Sequence, residues 1–177
     1  MRDNFQACLK TVFANEGGYV NDPRDPGGAT NMGITISTLS QYLGKEVTPD
    51  DVKKLTVDVS GAIYRDKYWE PLCCDDLPVG VDLSVFDMGV NSGITRAAKI
   101  LQGIVDATPD GVIGPKTLAG VSEYCTIHGS SNLVLFYKVA RDAFYRSIKG
   151  FQYYGTGWLN RSSRVAKESE LMILENK

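Results

Sequence analysis

A chain of 177 residues, 43% hydrophobic and 23% charged, is long enough to bury a proper core as one domain or as two closely packed lobes. A formal net charge of -2 at pH 7 gives no general electrostatic footprint for nucleic acid or an anionic membrane surface. No run approaches the apolar length that spans a bilayer, so neither nucleic acid nor stable membrane insertion is expected.

Phe5, Cys8, Leu9, Val12 and Phe13 repeat at helical spacing and predict a first helix from Asp3 to about Glu16, ended by Gly17-Gly18. Asn21-Asp22-Pro23-Arg24-Asp25-Pro26-Gly27-Gly28 combines two X-Pro restrictions with paired glycines. It predicts a shaped loop leading into a short extended piece around Gly33-Ile34-Thr35-Ile36, a small β element after the first helix.

Thr48-Pro49-Asp50-Asp51 reads as an N-cap, a proline at N1 and an acidic first turn; Thr56 caps a further helix through Val59, Ala62, Ile63 and Tyr68 to Pro71. Val81, Val85 and Met88 mark the next helix, and Ile94, Ala97, Ala98, Leu101, Ile104 and Val105 another. Asp110-Gly111 and Gly114-Pro115 separate these from a short helix over Leu118 and Val121. Leu133, Phe136, Tyr137, Ala140, Phe144 and Ile148 keep helical period to Gly150, and Trp158, Val165, Ala166, Ser169 and Met172 predict a last helix. The expected fold class is α+β and predominantly α-helical. The nearest thing to a boundary is Asn91-Ser92-Gly93, with no flexible linker.

Glu16 shares the apolar face of the first helix with Phe5, Val12 and Phe13. Apolar packing and the negative end of the helix dipole both favour its protonated form. A carboxyl that keeps its proton near neutrality can donate it, as the general acids of glycosidic cleavage do beside a second, ionised carboxylate.

Glu16-Gly17-Gly18-Tyr19-Val20-Asn21, then Asp25-Pro26-Gly27-Gly28-Ala29-Thr30 and Gly33-Ile34-Thr35, resemble the signature of the glycoside hydrolase family 108 muramidases. The likeness continues through Tyr68-Trp69 and Asp87-Met88-Gly89-Val90-Asn91-Ser92-Gly93. Asp110-Gly111-Val112-Ile113-Gly114-Pro115-Lys116-Thr117-Leu118 resembles the start of that family's predicted peptidoglycan-binding half. The resemblance implies a lysozyme-like fold, a catalytic lobe over residues 1–93 and a helical peptidoglycan-binding lobe over 94–177. It implies hydrolysis of the β-1,4 bond between N-acetylmuramic acid and N-acetylglucosamine, first of all in a phage endolysin, with a bacterial enzyme of secretion or wall remodelling as an alternative. The family's catalytic glutamate falls on Glu16. A non-catalytic wall-binding protein of the same fold is the alternative, which the intact Glu16, Asp25 and Thr30 set disfavours.

For the second catalytic group the loop supplies Asp22 and Asp25, with Thr30 and Thr35 as hydroxyls beyond. Asp25 is preferred because its separation from Glu16 resembles the Glu-to-Asp spacing of phage-type lysozymes; either aspartate also suits turn-making before proline. Inversion or retention turns on a carboxyl separation of about 6.5–9.5 Å or 5–5.5 Å and stays open.

Ring faces bury the apolar side of a pyranose, so Tyr19, Tyr64, Tyr68 and Trp69 are candidate cleft walls, with core packing as the competing role, and Asn21 is a polar candidate beside Tyr19. Asp87 and Asn91 share a face with Ser84 and are candidates for the cleft floor, or a solvated or capping pair.

Gly28 to Thr35 has the glycine spacing of a phosphate loop, but Ile34 stands where the lysine belongs. Cys8, Cys73, Cys74 and Cys125 are too sparse for a disulfide scaffold and are expected to be reduced. Cys125 and His128 stand at i+3, but the adjacent Cys73-Cys74 pair does not suit a zinc finger, so no metal is expected. Proton transfer between carboxyls and water needs no cofactor. Met1-Arg2-Asp3-Asn4-Phe5 lacks the apolar region of a secretory signal. A monomer made in the bacterial cytoplasm is expected, reaching periplasmic peptidoglycan glycan strands through a holin or a secretion system.

Overall fold

The apolar period of Phe5, Cys8, Leu9 and Val12 winds into helix α1, Phe5–Asn15, and all four side chains are buried. The computed structural model describes residues 4–22 and 27–176. The fold is α+β, mostly helical, with a small antiparallel sheet directly after α1, as the sequence pattern anticipates. The chain divides into two compact units, Leu9–Lys67 and Met1–Cys8 with Tyr68–Lys177. The 93/94 boundary expected from the sequence lies inside the larger unit, where Gly93 joins two helices at φ 89°.

In the Leu9–Lys67 unit, β1 (Thr30–Asn31) pairs antiparallel with β2 (Ile34–Thr35), Thr30 opposite Thr35 and Asn31 opposite Ile34. A further bridge joins Val20 to Thr30, each donating its N–H to the other's carbonyl at 2.8 Å. Helix α2, Ile36–Leu43, follows at once and corrects the extended reading of Ile36. Its serines, threonine and isoleucine are weak helix formers, and the ends decide the matter. Thr35 Oγ1 accepts the N–H of Thr38, and Gly44 closes the helix in the left-handed region, φ 65°.

Thr48, Pro49 and Asp51 build the expected start of α3, Pro49–Lys53: Thr48 Oγ1 accepts the Asp51 N–H and Thr48 N–H donates to Asp51 Oδ2, a full capping box. The buried Asn31 side chain donates to Val52 and Lys53 carbonyls at 3.1 and 3.4 Å, tying the hairpin to that helix. Thr56 caps α4, Val57–Tyr64, which runs on into a π-helical turn, Arg65–Trp69.

The second unit is built around α5, Val81–Ser92, in which every residue from Val81 to Gly89 is buried. A Cβ on Gly89 would stand 2.5 Å from the fully buried Leu72, so the absent side chain sets that approach. Around α5 lie α6 (Ile94–Ile104), α8 (Ser130–Ser147) and α9 (Phe151–Glu175), with α7 (Pro115–His128) against α8. Helix α7 is longer than the short helix expected, and α9 begins at Phe151, before the apolar repeat that announces it.

Candidate active site

Helix α1 gives out at Glu16, whose N–H is shared between the carbonyls of Val12 and Phe13 at 3.2 and 3.1 Å. Asn15 is the last helical residue, and Glu16 therefore stands one position beyond the helix, half-buried. Gly17 and Gly18 carry the chain away, and a Cβ on either would meet nothing within 4 Å. The Val20–Thr30 bridge then brings the hairpin back alongside this segment.

The hairpin turns through Met32 and Gly33, both at positive φ, 48° and 73°. That is the backbone of a type I′ turn, whose twist matches the strands it joins. A Cβ on Gly33 would collide with the Tyr64 hydroxyl and stand 3.0 Å from Glu16 Oε2. The turn, the Tyr64 hydroxyl and the Glu16 carboxyl therefore meet at one place, all within the Leu9–Lys67 unit. Tyr64 donates to the Met32 carbonyl at 2.9 Å and sets its ring edge-on to Phe13, centroids 5.3 Å apart at 89°.

Tyr19 is half-buried with the Lys53 ammonium 5.8 Å from its ring centre; Asn21 is exposed, and Thr30 and Asp22 are half-buried. The Thr30 hydroxyl donates to the Gly28 carbonyl over a long 3.4 Å. Asp25 lies outside the described residues, as does the Pro23–Pro26 part of the loop. Thr35 is occupied as the cap of α2, bonding both the N–H and the hydroxyl of Thr38, so it serves the fold. Tyr64, expected as a cleft wall, is 1% exposed: its ring belongs to the core and only its hydroxyl reaches the Glu16 neighbourhood.

Four expected site residues, Tyr68, Trp69, Asp87 and Asn91, lie in the other unit, and for the last three the surroundings change the roles expected for them. Trp69 is 1% exposed, with its indole N–H donating to Asp75 at 2.9 Å and its ring edge-on to Phe5 and Phe86, each 5.2 Å away. It is core, since neither ring face is open to a sugar. Asp87 is no cleft floor: it is 0% exposed and bonded by Arg141 at 2.6 Å and Arg161 at 2.8 Å. Asn91 is exposed, and its amide oxygen accepts from the Tyr145 hydroxyl at 2.6 Å. With Ser84, which bonds Ser169 at 2.9 Å, these residues form the polar seam between α5 and helices α8 and α9. Tyr68 is half-buried. The sequence pattern puts Gly33 in the extended piece and gives Met32 no role, but both form the turn between β1 and β2; a glycine closing a two-residue link between short extended pieces is the signal that marks it.

The glycosyl hydrolase 108 family model matches residues 9–93. Among solved structures the chain is similar to SagA of Brucella abortus, with 42% sequence identity, a TM-score of 0.82, and coverage of 96% of this chain and 95% of that one. No curated protein matches the sequence. On the family match and a likeness at this identity over nearly the whole length, the chain belongs to glycosyl hydrolase family 108 and is a glycoside hydrolase of lysozyme-like fold.

Proposed function

We propose that the protein is a muramidase, cleaving the β-1,4 bond from N-acetylmuramic acid to N-acetylglucosamine in peptidoglycan with Glu16 as general acid. In this mechanism Glu16 gives its proton to the glycosidic oxygen as the bond to the anomeric carbon breaks, leaving oxocarbenium-like charge on the muramyl ring. Asp25 balances that charge or activates the attacking water, and the Thr30 hydroxyl orients the water. Tyr19 and Asn21 contact the glycan. The observation that carries the reading is the half-buried Glu16 carboxyl at the end of α1 against the hairpin turn, in a chain of a glycoside hydrolase family.

The residues from 94 onward hold the wall, the protein acts as a monomer, and it reaches the periplasm through a holin or a secretion system. It acts in phage lysis or, as the alternative, in bacterial secretion or wall remodelling.

Clearing of permeabilised Gram-negative cells, with reducing ends counted, tests the activity; mass spectrometry of the fragments identifies the bond. Glu16→Gln should fold normally and lose on the order of 10²–10⁴ in rate, the range of general acid catalysis. Retained lysis by that variant would remove Glu16 from the mechanism.

A further inference from the structure

We propose that the Met32–Gly33 turn and the Tyr64 hydroxyl form a brace that holds the Glu16 carboxyl in its donating position, making Tyr64 and Gly33 positioning residues; this rests on Glu16 being the acid. The backbone at Met32 is the first indication. A type I′ turn asks for positive φ at both central residues and is ordinarily filled by Asn, Asp or Gly, yet this one has methionine at φ 48°. Strained backbone of this kind persists where the surroundings over-determine it and collects at functional sites.

The Tyr64 hydroxyl supplies such a restraint, bonding the Met32 carbonyl at 2.9 Å from a ring that is 1% exposed and fixed edge-on against Phe13 of α1. The same hydroxyl and the Glu16 carboxyl press on one side of Gly33, where only the lack of a Cβ lets the turn approach. Beyond Glu16 the chain leaves through two glycines whose missing side chains would touch nothing. Packing from Gly17 and Gly18 therefore cannot steady the carboxyl. The last turn of α1 fixes its backbone from one side, and the braced hairpin bounds its carboxyl from the other.

A double-mutant cycle tests this on soluble, uncrosslinked peptidoglycan chains, with kcat and KM measured separately and folding checked by circular dichroism. Tyr64→Phe keeps the ring and should lower kcat about tenfold; Gly33→Ala pushes the turn off the carboxyl and should lower it on the order of 10²-fold, as a displacement of about 1 Å does. KM should stay within about twofold in both, because neither group contacts substrate. The added methyl strikes the hydroxyl that Tyr64→Phe removes, so the double variant should lose no more than Gly33→Ala alone.

Losses that multiply in the double variant, a kcat at the wild-type level in either single variant, or a rise in KM that accounts for the loss would each overturn the brace. Should Gly33→Ala not fold, Tyr64→Phe decides alone by the same kcat and KM criteria. Glu16→Gln assayed in parallel keeps the two proposals apart. If it stays active, the acid assignment fails; if it is dead while the brace variants behave as wild type, only the brace fails.

Discussion

Asp82 shows what one side chain contributes when the fold withdraws it from water. It is 1% exposed; its Oδ1 accepts the N–H groups of Gly80 and Leu83 at 2.8 and 2.7 Å, and its Oδ2 accepts from Asn4 at 2.9 Å. Burial raises its pKa above the ordinary 3.8, and those hydrogen bonds, which favour the charged form, only partly offset it. The folded state therefore binds this proton more tightly than the unfolded chain. The resulting stabilisation is complete below the ordinary value and is lost as pH rises through the folded-state pKa. Urea midpoints of wild type and Asp82→Asn, followed from about pH 3 to 7, should diverge, the wild type losing stability relative to the variant as pH rises. Parallel midpoints would show that the carboxyl is not destabilised by its site. Glu16 was legible in the sequence because a helical repeat and a double glycine are local signals. The settings of Trp69 and Asp87 were not, since Phe86, Arg141 and Arg161, which enclose them, come from later in the chain.

Helix α9 carries two interior glycines with opposite surroundings. A Cβ on Gly155 would lie 2.5 Å from the Phe151 ring, whereas one on Gly157 would meet nothing within 4 Å. Alanine relieves a helix-interior glycine of roughly 0.5–1 kcal/mol of backbone entropy. Gly157→Ala should therefore raise the melting temperature, by about 2–4 °C per kcal/mol for a chain of this size. Gly155→Ala should gain less or lose, because Phe151 must move. Equal gains in calorimetry would mean that Phe151 packs too loosely to matter. The same glycines hide the start of α9 from periodicity, and weak helix formers hide α2. Conversely, α3 was readable to its capping residues because threonine, proline and aspartate act within a single turn.

At the scale of the molecule, Asp87 of α5 joins Arg141 of α8 and Arg161 of α9 in one buried ion cluster. Burial alone would lower the Arg141 pKa; the Asp87 carboxylate and Tyr145 outweigh it, and the net shift is upward. Asp87→Ala would strand a guanidinium that is 2% exposed and should lower the unfolding free energy by about 3–5 kcal/mol. Raising salt from about 0.1 to 1 M should change that loss little, since buried charges are poorly screened. A loss that disappears at high salt would mean that water reaches the cluster. Both indoles of the chain, Trp69 and Trp158, belong to this same unit, while Leu9–Lys67 carries only tyrosines as fluorophores beyond phenylalanine. Emission excited at the red edge will thus report the melting of one unit and stay blind to the part that holds Glu16, whose opening must be timed by amide exchange.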